Sequence, residues 1–181
     1  MNTKSIKNRW MILFLILTVL WMGFIFYMSA QPASESARMS GTIGERIARF
    51  LRPDYASIPT AEWQAYVSGI DHIVRKTAHL TEYLILGVLL SIDMLNLWKR
   101  KRSPDKSVRV ISVLFFAWLI GAVYAASDEF HQFFVEGRSM EALDVGIDSL
   151  GVCIGCCLVG IFLFIVKRHT KKECMIDSYV L

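Results

Sequence analysis

The sequence predicts an all-α integral membrane protein, a bundle of four transmembrane helices with amphipathic helices on its outer face. Three observations support this fold class. The 181 residues are 54% hydrophobic, with a mean hydropathy of +0.43. Their apolar residues gather in four long blocks, and their basic residues gather in three of the segments beside those blocks. A soluble domain of this length spreads its apolar residues more evenly, so the pattern favours a membrane protein.

Each apolar block approaches the roughly 20 helical residues that cross the hydrocarbon core of a bilayer. The blocks cover residues 10–28, 77–97, 110–126 and 149–166, and residues 29–76 form a long outer loop. Lipid offers no hydrogen-bond partner to the backbone, so each block is expected to be a helix. The first block follows three basic residues, as in a signal peptide, but its 19 uncharged residues favour a retained helix. Residues 1–181 are therefore expected to form a single membrane domain.

The distribution of Lys and Arg predicts the orientation. Residues 1–9 carry three of them, residues 98–109 carry six and the tail after residue 166 carries four, whereas the two other loops share seven. The positive-inside rule then places both termini in the cytoplasm of a multi-pass membrane protein. Twelve of the 16 acidic residues lie in or beside the opposite, outer loops. The net charge of +4 follows from this topology, so the expected partner is the lipid bilayer and not nucleic acid.

The first outer loop is predicted to contain helical segments. Pro32 prevents the first helix from continuing without a break. Residues 41–53 have apolar side chains at helical spacing, which predicts a short amphipathic helix that lies at the membrane interface or docks on the bundle. A further helix is expected to begin near Thr60 and to run into the second span. Cys153, Cys156 and Cys157 lie among glycines in the fourth block, and they are interpreted as small packing residues of a close helix contact.

Polar residues recur at steps of three and four along the second span and along the segments beside the third and fourth. Such spacing places them on one side of each helix, and the topology brings the three helix ends to the same membrane face. We expect the following residues to be catalytic: His79, Glu82, Asp128, His131, Asp144 and Asp148. We expect a second set to bind substrate: Arg75, Lys76, Tyr83, Glu129, Gln132 and Arg138.

Several interpretations of this cluster remain open. His79 with Glu82, and Asp128 with His131, combine imidazole and carboxylate as zinc or manganese sites do, but neither pair matches an established ligand motif, so no metal ligands are assigned. Arg75, Lys76 and Arg138 are suited to an anionic headgroup, with a histidine exchanging protons. An acid-rich pocket could instead bind a cationic ligand. A stabilising network of ion pairs is the non-functional interpretation. The sequence does not identify a cofactor, and the question of a cofactor is left open.

The polar segments also resemble a known family. "YMSAQP", "KTAHLTEYLILGVLL" and "YAASDEFHQFFVEGRSMEALDVGIDSLG" are similar to the VanZ-like family of small bacterial membrane proteins, named for a teicoplanin-resistance protein. Ala30 departs from the family's Ser at that position. The resemblance covers the chain from the end of the first span to the fourth. It implies a cell-envelope protein of the bacterial cytoplasmic membrane that is linked to glycopeptide resistance, and it supplies neither a reaction nor a cofactor.

Together these observations predict an envelope protein whose outer polar pocket binds, and in one version also modifies, a lipid-linked cell-wall intermediate or a lipid headgroup. Enzymatic activity is left open. The alternatives are a non-enzymatic protein that binds or shields an envelope component, and a structural partner of a larger membrane complex.

Overall fold

The computed structural model describes residues 3–101 and 110–177, with side chains described over residues 8–98 and 110–170. Within those ranges the regular structure is entirely helical, which confirms the all-α prediction. The elements are α1 (Thr3–Ser29), α2 (Ala33–Leu51), a short 3-10 turn (Tyr55–Ser57), α3 (Thr60–Lys101), α4 (Val110–Gln132) and α5 (Ala142–Asp177).

Four helices are long and apolar enough to cross a membrane, as predicted. The segments with this property are Asn8–Ser29, Thr60–Trp98, Val110–Gln132 and Ala142–Thr170. Most large apolar side chains of α1 and α4 are exposed, including Leu20 at 65% and Ile111 at 72%. Lipid is the environment that suits such an exposed apolar surface.

Helix boundaries follow the prolines. α1 ends at Ser29, three residues before Pro32, and α2 ends at Leu51, two residues before Pro53. α3 begins directly after Pro59 and continues for 42 residues, about 63 Å at the α-helical rise. The predicted uninterrupted helix from Thr60 into the second span is therefore confirmed.

Four helices extend beyond the predicted ranges, and the first of them, α1, begins at Thr3 rather than at residue 10. α4 continues to Gln132 rather than residue 126, α5 begins at Ala142 rather than residue 149, and α2 begins at Ala33 rather than near residue 41. Hydropathy marks only the apolar part of a helix, whereas the backbone hydrogen bonds continue through polar residues until a breaker intervenes. Between α4 and α5 the chain turns at Gly137, whose φ of +73° is strained for a residue with a Cβ atom.

The centre of the bundle is the contact between α3 and α5. Here the backbones approach so closely that a Cβ atom at Gly155 would overlap the carbonyl oxygen of Leu84, and one at Gly87 would overlap that of Val152. The predicted small-residue face of α5 is thus part of a close helix interface. The buried core around it includes Ile25, Tyr83, Leu86, Ala117, Ala125, Val152 and Cys156.

α2 packs against the part of α3 that precedes the bundle core. At their closest approach, a Cβ atom at Gly44 would lie 3.3 Å from the Cα atom of Asp71. We call the region next to this contact the polar end: the end of the bundle at which α1 and α4 finish, at Ser29 and Gln132, and at which α5 begins, at Ala142.

Candidate functional site

A cavity of about 200 Å³ opens at the polar end, and we call it the polar cavity. Its walls come from α2, α3, the end of α4, the α4–α5 loop and the start of α5. The lining residues are Ala33, Ser36, His72, Arg75, Lys76, His79, Glu129, Gln132, Gly137, Arg138, Ser139, Glu141, Asp144, Ile147 and Asp148.

Arg138 connects the loop to three other parts of the wall. Its guanidinium donates from Nε to the carbonyl oxygen of Gln31 (3.0 Å), from Nη1 to Oε1 of Gln132 (2.9 Å) and from Nη2 to Oγ of Ser36 (2.9 Å). All three acceptors are neutral. Burial, followed by the nearby charge of Arg75, lowers the pKa of Arg138 from its usual range. The side chain is therefore held firmly while its positive charge lacks a directly bonded carboxylate among these partners.

Lys76 is in the opposite situation. Its ammonium group is bonded to Oδ1 of Asp144 and lies 3.8 Å from Oε2 of Glu141. Glu129 reaches the same strip of wall, because its Oε2 accepts a hydrogen bond of 3.0 Å from the backbone N–H of Glu141. These contacts join α3, α4 and the start of α5, and they neutralise the charge of Lys76 within the protein.

Beneath the polar cavity lies Asp128, which is 2% exposed. Its Oδ2 accepts a hydrogen bond of 2.7 Å from Oγ of Ser29 and lies 3.4 Å from Nε2 of Gln132. A chain of contacts thus runs from Arg138 through Gln132 to Asp128 and Ser29. It fixes α1, α4 and the α4–α5 loop to one another at the polar end.

A second cavity, also of about 200 Å³, adjoins the first, and we call it the apolar groove. It is lined by Met28, Ser36, Met39, Ser40, Ile43, Val74, Arg75, Ala78, His79, Glu82 and Arg138. The two cavities share four lining residues, namely Ser36, Arg75, His79 and Arg138. We call these four the shared wall. It offers two guanidinium groups, a hydroxyl and an imidazole to a ligand in either cavity.

Ten of the twelve residues predicted for the site are brought together here. Eight line the polar cavity: Arg75, Lys76, His79, Glu129, Gln132, Arg138, Asp144 and Asp148. Glu82 lines the apolar groove, with Oε2 lying 3.8 Å from Nδ1 of His79. Asp128 lies beneath, beside His79 and Asp148.

Tyr83 and His131 lie outside both cavities. Tyr83 is fully buried in the bundle core, with its ring 6.2 Å from that of Tyr124. The ring of His131 packs on Phe26 of α1 at 4.2 Å. One residue along a helix is a rotation of about 100°, so Tyr83 and His131 face away from their polar neighbours Glu82 and Gln132. The predicted pairing of His131 with Asp128 is therefore replaced by contacts of Asp128 with Ser29 and Gln132.

Sequence reasoning missed the two serines that complete the site. Ser29 and Ser36 bond to Asp128 and Arg138 across about 100 residues of sequence. Ser29 lies in the quoted "YMSAQP" segment, which was a usable signal, because a polar residue at the last turn of an apolar helix needs a partner. Ser36 lies in a serine-rich stretch and carries no comparable signal.

The fold and the site define a class: a four-span helical membrane protein with a mixed cationic and acidic cavity at one end of the bundle. A family model described as VanZ/LLP1 matches residues 14–164, which is most of the chain, and the protein belongs to that family. Membership of it is associated with teicoplanin resistance. Comparisons with curated proteins and with solved structures found no match.

Proposed function

We propose that this protein binds an amphiphile with an anionic headgroup on the outer side of the bacterial cytoplasmic membrane, and that this binding alters susceptibility to teicoplanin. The ligand class is a lipid-linked cell-wall intermediate or a membrane lipid with a phosphate headgroup. In this proposal both termini are cytoplasmic and the polar end faces outward. The observation that carries the proposal is the shared wall, because it places two guanidinium groups between a polar cavity and an apolar one.

The headgroup part of the proposal depends on Arg138 and Arg75. A guanidinium fork matches two oxygens of a phosphate, and such bonds are stronger than those between neutral groups. Arg138 is held by three neutral acceptors, so its charge is available to an anion. Arg75 lies 3.4 Å from Asp71 and is 36% exposed, which leaves part of its guanidinium free to turn toward the cavity.

Lys76 has a different role in this proposal. Its bonds to Asp144 and Glu141 neutralise it, so we assign it to holding α3 against α5 rather than to the headgroup. This arrangement separates a cationic part of the cavity, at the shared wall, from an acidic part near α5.

The tail part of the proposal depends on the apolar groove. Met28, Met39, Ile43, Val74 and Ala78 provide its apolar lining, from the end of α1, from α2 and from α3. A tail that moves from the bilayer into this groove exchanges one apolar environment for another, so its binding depends on packing contacts with these side chains and not on leaving water. A tail that enters this groove leaves its headgroup at the shared wall.

The test is native mass spectrometry of the protein released in mild detergent, with Arg138→Gln compared with Arg38→Gln. Arg38 is 76% exposed on α2 and pairs only locally with Glu35, so it is a matched loss of charge. We expect wild type and Arg38→Gln to retain a phosphate-bearing lipid, and Arg138→Gln to lose at least about ten-fold of it, since charged hydrogen bonds contribute roughly 1.5–3 kcal/mol. In a host that expresses each protein, wild type and Arg38→Gln should alter teicoplanin susceptibility to a similar extent, and Arg138→Gln should alter it less.

Further outcomes distinguish a lipid headgroup from free phosphate, and a binding site from a structural network. Inorganic phosphate bound without a lipid would indicate an anion site that takes no tail. Equal lipid retention by the three proteins would contradict the proposal, and a melting temperature lowered only in Arg138→Gln would then favour the structural network. The same samples separate binding from chemistry, because an enzyme converts its lipid on incubation whereas a shielding protein returns it unchanged.

A further inference from the structure

Beneath the polar cavity three helices each contribute one metal-ligating side chain to a single point. His79 comes from α3, Asp128 from α4 and Asp148 from α5, and one ligand atom of each lies within 4.8 Å of the others. Both aspartates are 2% exposed. His79 and Asp148 also line the polar cavity, so the point where the three meet is accessible from it.

The charges of this cluster are not balanced by protein cations in direct contact. Among residues 8–98 and 110–170, no ion pair within 4.0 Å includes Asp128 or Asp148. Two buried carboxylates that face each other repel strongly at low dielectric, so a proton or a cation has to be shared between them.

The hydrogen bonds of Asp128 favour the cation. Its Oδ2 is held by Ser29 and contacted by Gln132, whereas its Oδ1 is buried and has no hydrogen-bond partner among the described residues. Carboxylate ligands of metal ions are commonly fixed in this way: one oxygen is oriented by outer hydrogen bonds and the other faces the ion.

We propose that His79, Asp128 and Asp148 bind one divalent cation of the borderline class, such as Zn²⁺ or Mn²⁺. One imidazole with two carboxylates suits these ions, and two carboxylates balance the charge of a divalent ion. Zinc ligands lie about 2.0–2.2 Å from the ion, so two ligands of a tetrahedral site are about 3.3–3.6 Å apart. The ligand atoms, which lie within 4.8 Å of one another, therefore have to move by about 1 Å to close the site. Three protein ligands leave coordination positions that face the polar cavity.

The metal site does not depend on the headgroup proposal, because metal content is measured without lipid. The two proposals are compatible in charge: a bound cation offsets the carboxylates that would otherwise repel an anion in the polar cavity.

The experiment uses tag-free protein in detergent, stripped with chelator, incubated with Zn²⁺ or Mn²⁺, desalted and analysed for metal by mass spectrometry. The variants are Asp128→Asn and Asp148→Asn, and the control is Asp93→Asn, which removes a buried carboxylate at 5% exposure elsewhere on α3. Ser29→Ala removes only the bond that orients Asp128. We expect about one ion per chain in wild type and in Asp93→Asn, its loss in the two ligand variants, and an affinity about 10–100-fold weaker in Ser29→Ala.

A measurement on the wild-type protein keeps the proposal testable if a variant does not fold. Bound Mn²⁺ ligated by His79 shows a hyperfine coupling to one imidazole nitrogen in pulsed electron paramagnetic resonance. Wild-type protein that retains no stoichiometric Zn²⁺ or Mn²⁺ would overturn the proposal. The proposal would also be overturned if Asp128→Asn and Asp148→Asn retained as much metal as wild type. Bound Mn²⁺ without a nitrogen coupling would overturn it as well.

Discussion

At the residue scale, Thr18 and Asp93 show how an ionisable side chain is accommodated far from the polar end. Asp93 on α3 is 5% exposed, and its Oδ2 accepts a hydrogen bond of 2.6 Å from Oγ1 of Thr18 on α1. Polar groups in the apolar part of a membrane bundle are costly unless they are paired, and pairing between helices fixes the helices together. The pair therefore anchors α1, which otherwise has an exposed apolar surface.

Removing the hydroxyl tests this role. We expect Thr18→Val to lower the stability of the protein in detergent by about 1–3 kcal/mol, because Oδ2 of Asp93 then joins Oδ1 as a buried oxygen without a hydrogen-bond partner. Thr18→Ser keeps the hydroxyl and should stay within about 0.5 kcal/mol of wild type if the methyl group contributes little. A thermal melt of the three proteins is the measurement, and equal melting temperatures for Val and Ser variants would contradict the role.

At the element scale, the contact of α3 with α5 determines where His79 and Asp148 lie relative to each other. The contact depends on backbone proximity rather than on large side chains, since Gly155 lies directly against the carbonyl oxygen of Leu84. A larger residue at this position must separate the helices or bend one of them. The same helices carry ligands of the proposed metal site, so separation would affect the site as well as the stability.

We expect Gly155→Ala to destabilise the bundle by roughly 1–3 kcal/mol, the usual cost of inserting a methyl group into a close-packed contact. Gly146→Ala is the matched control on the same helix, because a Cβ atom there meets nothing within 4 Å. That variant should be neutral or more stable by up to about 1 kcal/mol, since Ala is the better helix former. Thermal melts of the two variants are the measurement. Equal melting temperatures for Gly155→Ala and Gly146→Ala would show that the interface between α3 and α5 tolerates a wider spacing.

The element boundaries also show what the sequence could not predict. Hydropathy located all four spans, but it ended α4 at residue 126 and began α5 at residue 149, because it detects the lipid environment and not the helix. The polar turns beyond these limits carry Asp128, Glu129, Gln132 and Asp144. Their grouping was predicted from helical spacing, whereas the burial of Tyr83 in the bundle core and the contact of His131 with Phe26 depend on tertiary packing.

At the scale of the whole molecule, the sequence predicted which residues lie close together at the candidate site. It did not predict which of them pair with one another. The proximity of ten of the twelve residues could be predicted because charged groups in apolar helices are rare and converge when helix ends meet. The sequence could not show that Lys76 is neutralised by Asp144 while Arg138 is bonded to neutral acceptors, since these partners are 68 and up to 107 residues distant along the chain. Side-chain pairing over such separations is decided by tertiary packing.

The proposed orientation can be tested on the intact cell. We expect a membrane-impermeant maleimide to label Ser57→Cys in intact cells, and to label Thr170→Cys only after the membrane is opened, once the native cysteines have been replaced. Both positions are exposed. Ser57 lies just before the start of α3, and Thr170 lies near the end of α5. The positive-inside rule is the physical basis of the expectation. Labelling of Thr170→Cys in intact cells would reverse the orientation and would place the polar end in the cytoplasm.

The apolar groove has a consequence for how affinity is defined. In the proposed function, a lipid that enters between Met39, Ile43 and Val74 reaches the groove from the membrane and not from bulk water. Occupancy then depends on the mole fraction of that ligand among the surrounding lipids, not on its molarity. A cell that dilutes the ligand with other lipids therefore lowers the occupancy of the site without changing any of its contacts.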